Sequence, residues 1–367
     1  MINHSGTVYQ YIDNNKALIE YCSQLNSSEI IALDTEFVRI STFYPKPALI
    51  QVFDGNHYAL LDPLGISSWQ PFIAILENEN ITKVLHACDE DIELFYHLFK
   101  VFPKSVFDTQ VAAALSGLDY CMGYQRLVYQ CFQQEIDKST ARSDWLKRPL
   151  NEKQIAYAIE DVSHLIALYD LFKPKLVQQN RLASIEEEYQ RLISQLADEA
   201  FSEAYKKIKP SQKLTGITIG RLQWLASWRE KMMRQFNMPR NHVASNETLL
   251  LLAQKRHISL NLLYKASGIP AKILKNQADN IIEALQGILP LADVTYSKKH
   301  YQQLKQQLIN ISSEAQLPEG IVLKKDWLQS LSIVAGNGIE QLPDFIEGWR
   351  RPYYQQAFSI FLSHHTP

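Results

Sequence analysis

Cysteine is scarce in this chain and nowhere paired. Four cysteines, Cys22, Cys88, Cys121 and Cys131, are spread over 367 residues with no CxxC and no zinc-ligand spacing. That excludes a disulfide-built scaffold and fits free thiols in a reducing compartment. No apolar run reaches the ~20 residues of a membrane span, so no membrane association is expected. The opening Met1-Ile-Asn-His-Ser-Gly-Thr7 has no basic stretch followed by an apolar core, so no signal peptide is expected and the protein is expected in the cytoplasm. There is no phosphate-binding GxxxxGK[ST] loop, which argues against an ATP-driven motor, and no nucleoside triphosphate partner is expected. Low-complexity segments are also missing.

What is present is an ordinary globular composition, 46% hydrophobic and 21% charged, on a chain long enough for two or three domains. The net charge of −2 hides an asymmetry. Residues 1–205 hold 16 Lys and Arg against 28 Asp and Glu; residues 206–290 hold 14 against 4. An acidic first part suits metal chemistry and a basic middle part suits a polyanion. The two parts docking on each other would explain the same counts.

The most informative stretch is Ile30–Phe37, Ile-Ile-Ala-Leu-Asp-Thr-Glu-Phe. Its uniformly apolar first half reads as a strand buried on both faces. Asp34 and Glu36 follow two residues apart, so on a strand they project from one face. Two carboxylates at the end of a buried strand call for a cation. The plain alternative is a turn-capping Asp34 and a solvated Glu36. Apolar runs at 48–53 and 58–61, joined through Asp54-Gly55, predict a hairpin. Helical spacing is visible at 14–25, 69–76, 89–99 and 109–115, with strands at 82–86 and 106–107. The expected first domain is a mixed sheet flanked by helices. Beyond Lys206–Gly216, a stretch with Pro, Gly and charge, only helices are expected.

Two further acidic groups join the strand pair. Asp89-Glu90-Asp91 opens a helix, where its dipole favours carboxylates by ~0.3–1 kcal/mol each. Gln154–Tyr169 reads as one helix, with Tyr157 and Asp161 stacked i, i+4 on a face continued by Leu165. A Tyr-to-Asp hydrogen bond alone would account for that pair. Were Asp34, Glu36, Asp91 and Asp161 to converge, each close pair would repel by about 4 kcal/mol at an effective dielectric of 20. Cations would then be needed. An all-oxygen ligand set without His or Cys points to Mg²⁺ or Mn²⁺ rather than zinc. Two such ions suit in-line attack on a phosphodiester, with Tyr157 placed to orient the water.

Asp34-Thr-Glu36, His86-Ala-Cys-Asp-Glu-Asp91 and Tyr157-Ala-Ile-Glu-Asp161 resemble the three motifs of the DEDD-type 3′→5′ exonucleases, tyrosine subgroup, as found in ribonuclease D. Lys138–Leu150 is similar to the segment before the third motif. Leu222-Gln-Trp224-Leu-Ala-Ser-Trp228-Arg229-Glu230, with Pro239, Val243 and Gly268-Ile269, resembles a helicase-and-ribonuclease-D C-terminal (HRDC) domain. Leu317-Pro318, Asp326–Leu331 and Gly348-Trp349-Arg350 look like a diverged second copy.

The resemblance implies a ribonuclease H-like α/β exonuclease domain over 1–205, a linker over 206–216, and all-α HRDC-type domains over 217–290 and 291–367. It implies that Asp34, Glu36 and Asp161 bind the metal at which the nucleophilic water forms. Asp34 would bridge to a second metal, held by Asp91 largely through water, and Tyr157 would hydrogen-bond the attacking water. Asp89, two residues before Asp91, competes for that assignment. The implied activity is removal of 5′-mononucleotides from RNA 3′ ends, on tRNA precursors and other small structured RNAs. A DNA 3′→5′ exonuclease and a non-catalytic nucleic-acid-binding protein are the alternatives. Lys138 and Arg142 are candidate phosphate contacts or ordinary solvated cations. Trp224 and Trp228 read as core rather than as base-stacking rings.

Overall fold

Ile31, Ala32 and Leu33 are fully buried, and they alternate between two cores. They lie on the strand that carries the acidic pair, in a computed structural model that describes residues 1–2, 6–137, 140–197, 201–209, 211, 214–289, 297–336 and 341–364. The sheet has six strands: β1 (Tyr9–Ile12), β2 (Ile30–Val38), β3 (Lys46–Phe53), β4 (Tyr58–Leu61), β5 (Thr82–Leu85) and β6 (Val106–Asp108). Their order is β1-β4-β3-β2-β5-β6. β3 and β4 form the expected antiparallel hairpin, with Gln51 opposite Leu60. β2, β5 and β6 run parallel, with Ala32 opposite Val84 and Leu85 opposite Asp108. β1, too short to read from periodicity, adds parallel to β4.

Helices cover both faces. On one lie α1 (Asn15–Leu25), α2 (Gln70–Glu77) and α3 (Asp89–Phe99), packed through Leu18, Phe72, Ile92 and Phe95 on Ile31 and Leu33. The other elements of this part are α4 (Thr109–Leu115), α5 (Tyr124–Phe132), α6 (Glu152–Ser163), α7 (Leu165–Gln178) and α8 (Ala183–Ala197). The run expected as one helix is thus two, broken at His164. α6 and α7 pack on β2, so the acidic strand end is covered from the Ala32 side. An Asn151–Gln154 capping box starts α6, and the Gln154 amide donates to Ser143 Oγ and the Asp144 carbonyl, both at 3.1 Å.

Among the described residues only helices follow: α9 (Gly216–Phe236), α10 (Arg240–Val243), α11 (Asn246–Gln254), α12 (Leu260–Ala266), α13 (Ala271–Gly287), α14 (Lys298–Glu314), α15 (Glu319–Val322), α16 (Lys325–Gly336) and α17 (Arg351–Ser363). The described residues form two compact units. One draws on 1–38, 47–196 and 295–367; the other on 39–46 and 197–294.

In the first unit, Leu304, Leu308, Tyr354 and Phe358 of the C-terminal helices share one core with Leu168, Phe172 and Leu176 of α7. Fully buried Arg350 is paired there with Glu188, its Nη2 2.9 Å from Oε2. In the second unit, Trp228 is buried and donates to Gln277 at 3.2 Å, while Trp224 packs half-buried on the same core. Both tryptophans are therefore core, as expected. Residues 39–46 belong to this unit: Phe43 lies under the Arg234 guanidinium at 4.6 Å, and the Tyr44 amide donates to Asn237 at 2.9 Å.

Candidate active site

The alternation of β2 decides where its polar residues go. Asp34 and Glu36 follow Ala32 onto the face covered by α6 and α7. Asp161, in the last full turn of α6, meets them there: one carboxylate oxygen from each of the three lies within 4.8 Å of the others. Thr35 points to the opposite face, where its hydroxyl donates to Asp91 in the first turn of α3. Asp91 is 7% exposed and comes close enough to raise the pKa of both Asp34 and Glu36.

The turn that delivers Asp91 is held by a carboxylate the sequence did not single out. Ala87 adopts a left-handed φ of 55°, an uncommon conformation for a residue with a Cβ. Asp108, the N-cap of α4, accepts the Ala87 and Cys88 amides at 3.0 Å each and so braces that turn. Asp89 faces elsewhere. It lines a separate cavity of about 290 Å³ with Asp108, Glu188 and Lys324, whereas Asp34, Glu36 and Asp161 line one of about 260 Å³.

The electrostatics show a site short of positive charge. Burial, then Asp161, Asp91 and Glu36, push Asp34 well above the ordinary carboxylate value. Burial, then Asp161 and Asp91, push Glu36 up to about 9. Asp91 is pushed up to about 7, mainly by burial, against the opposing Thr35 hydrogen bond. No Lys or Arg is among the described residues lining the cavity. Tyr157 is held protonated, by burial and then by the charge of Asp161, and its hydroxyl bonds to Asp161. Its ring rests near Trp145, centroids 5.8 Å apart. An all-carboxylate, electron-rich cluster fits hard divalent cations.

Other predicted and unpredicted residues can be placed. Arg142 is exposed, outside the carboxylate cavity. Lys138 lies outside the described residues. The segment that carries Arg142 is anchored by Arg148, which pairs with Asp62 through Nε at 2.6 Å and Nη2 at 2.8 Å. The rest of the cavity wall is Thr35, His86, Tyr124, Ile136, Tyr157 and Leu165; sequence reasoning placed Leu165 on the Tyr157 and Asp161 face but gave no role to His86, Tyr124 and Ile136. His86 carried a signal, its place at the head of the second acidic motif; Tyr124, an aromatic at a helix start, carried none.

Comparison with known proteins first gives the class. A family model described as 3′-5′ exonuclease matches residues 9–177, which hold Asp34, Glu36, Asp91 and Asp161, and one described as HRDC domain matches 219–285. The chain thus joins a 3′-5′ exonuclease fold to an HRDC domain.

Curated relatives narrow this. Ribonuclease D of Pseudomonas paraeruginosa is 36% identical over 95% of this chain and 96% of its own. Ribonuclease D of Escherichia coli is 32% identical over 96% of this chain and 98% of its own. The chain belongs to the ribonuclease D family, a family of 3′→5′ exoribonucleases. The crystal structure of E. coli RNase D, described as an exoribonuclease involved in structured RNA processing, matches with a TM-score of 0.83 at 30% identity, covering 98% of this chain and 100% of that one. The catalytic core of RRP6 from Trypanosoma brucei shares the fold at a TM-score of 0.56 and 20% identity, over 78% of this chain and 80% of its own.

Proposed function

We propose that this chain shortens RNA from its 3′ end by hydrolysis at a two-metal site and releases 5′-mononucleotides. The observation that carries the reading is the convergence of Asp34, Glu36 and Asp161 within 4.8 Å. Asp34, Glu36 and Asp161 would hold one divalent ion, Mg²⁺ or Mn²⁺. Asp34 and Asp91 would hold a second, Asp91 largely through water. When bound, such ions lower the pKa of a water and offset charge on the attacking and leaving oxygens.

The chain's own contribution is orientation. The Tyr157 hydroxyl, kept protonated, is a fixed donor one helical turn from Asp161 and would aim the attacking water in line. Thr35 fixes the Asp91 carboxylate. Asp91 lines neither cavity, but it stands close enough to raise the pKa of Asp34 and Glu36 while Asp89 lines the other cavity, which supports Asp91 as the ligand.

The substrates would be tRNA precursors and other small structured RNAs in the cytoplasm. The surplus of Lys and Arg over residues 206–290 would grip phosphates without reading bases. Arg142 and Lys138 would add phosphate contacts. In sequence terms the domains would be an exonuclease over 1–205, a linker over 206–216 and HRDC-type domains over 217–290 and 291–367, the last packed into the core of the first rather than standing as a separate body.

The test uses 5′-labelled single-stranded RNA and DNA of one sequence with Mg²⁺, Mn²⁺ or chelator. Stepwise 3′ shortening of RNA only is expected, lost with chelator and with Asp34→Asn. Shortening of DNA alone would replace this reading with a DNA exonuclease, and shortening of neither with a binding protein.

A further inference from the structure

The break between α6 and α7 has a specific cause. In an unbroken helix the His164 amide would donate to the carbonyl of Glu160, four residues back. Here the Tyr124 hydroxyl stands between them. It accepts from the His164 amide, which also reaches the Val162 carbonyl, at 3.1 Å and donates to the Glu160 carbonyl at 3.1 Å. A side chain inserted into the i→i−4 ladder kinks a helix at that point. The opened turn contains Asp161, next to Glu160, and the Tyr124 ring lines the same cavity as the Asp161 carboxylate.

Tyr124 is itself fixed by the second acidic motif. His86 Nε2 lies 3.0 Å from the Met122 carbonyl, and Nδ1 lies 2.9 Å from Thr109 Oγ1. Gln110 Nε2 reaches the same Met122 carbonyl at 3.1 Å. The His86 and Tyr124 rings pack with centroids 5.5 Å apart. Below them, Leu127 and Val128 root α5 in the core. A chain of contacts therefore runs from the head of the second motif, through residues 122–124, to the turn that presents the third.

We propose that Tyr124 is a positioning residue for the metal site: its hydroxyl, wedged into the helix, sets the direction of the Asp161 carboxylate, and His86 holds Tyr124 in place. The proposal rests on Asp161 being a metal ligand. Tyr124→Phe keeps the ring in the cavity wall but removes the wedge, so the His164 amide returns to the Glu160 carbonyl and the Asp161 turn closes.

Mn²⁺ binding by calorimetry on the full chain, without RNA, tests this together with amide exchange over residues 160–168. Supporting groups of this kind alter metal affinity by about 10–100-fold. Tyr124→Phe should weaken Mn²⁺ binding by about 10-fold. It should also alter exchange at the break and raise the Mg²⁺ concentration for half-maximal shortening, with KM for RNA unchanged. His86→Gln should move each value the same way by less, and serves if Tyr124→Phe does not fold. Mn²⁺ affinity and Mg²⁺ dependence equal to wild type in the Tyr124 variant, with Asp161→Asn impaired, would overturn the proposal alone. Normal Mn²⁺ binding by Asp161→Asn would instead show that Asp161 is not a ligand, and both readings would fall.

Discussion

Raising the pH should loosen the metal-free protein, and divalent ions should reverse that. Glu36 is pushed from 4.5 up to about 9, first by burial and then by Asp161 and Asp91. Between those values the folded protein holds a proton that the unfolded chain has released, so stability falls as pH rises across that window. One pH unit is worth about 1.4 kcal/mol per proton, so going from pH 5 to pH 7 removes about 3 kcal/mol through Glu36 alone. Asp91, pushed up to about 7, and Asp34 act in the same direction within one shared cluster. For a unit of 150–250 residues, 3 kcal/mol lowers the melting temperature by roughly 6–12 °C.

Calorimetry of chelator-treated protein at pH 5.5, 7 and 8.5 should show that decline, and Glu36→Gln should flatten it. Mg²⁺ should stabilise wild type most at high pH and the variant far less. A wild-type profile no steeper than that of Glu36→Gln, or equal stabilisation of both by Mg²⁺, would refute the argument from crowded carboxylates.

Two further outcomes concern the assignment of roles. Asp91→Asn should lose RNA shortening while Asp89→Asn keeps it, because Asp89 faces the other cavity; a shortening assay on the two variants that found the reverse would exchange them. Tyr157→Phe should bind Mn²⁺ as wild type does but lose on the order of 10²-fold in rate, as expected for a misaligned nucleophile; weakened Mn²⁺ binding would make Tyr157 a support of the ligands instead.

Much of the fold could be read from local patterns because local patterns produced it. The buried half of β2, the Asp54-Gly55 hairpin and the helix from Asp89 all follow from periodicity and turn chemistry. The strand period of two put Asp34 and Glu36 on one face, and the helical period put Tyr157 one turn from Asp161. The features not legible depend on residues far apart in the chain. α6 and α7 carry a continuous helical pattern, and what divides them is a hydroxyl 40 residues away in sequence. The brace on Ala87 comes from Asp108, 21 residues on. Spacing gave the Asp34–Glu36 and Tyr157–Asp161 pairs and the resemblance implied that they share a site; neither showed that Asp91 would approach from the opposite layer, tied to Thr35.

The nuclease unit is discontinuous in sequence, and this bears on when it can work. α7, which continues from the Asp161 turn, shares its core with Leu304, Leu308, Tyr354 and Phe358. Domains generally fold as units while the chain is being made. Here the core behind the catalytic helix is closed by residues 297–364, which leave the ribosome after the whole intervening unit. An RNA-degrading site supported in this way cannot complete its packing until those C-terminal helices have been made.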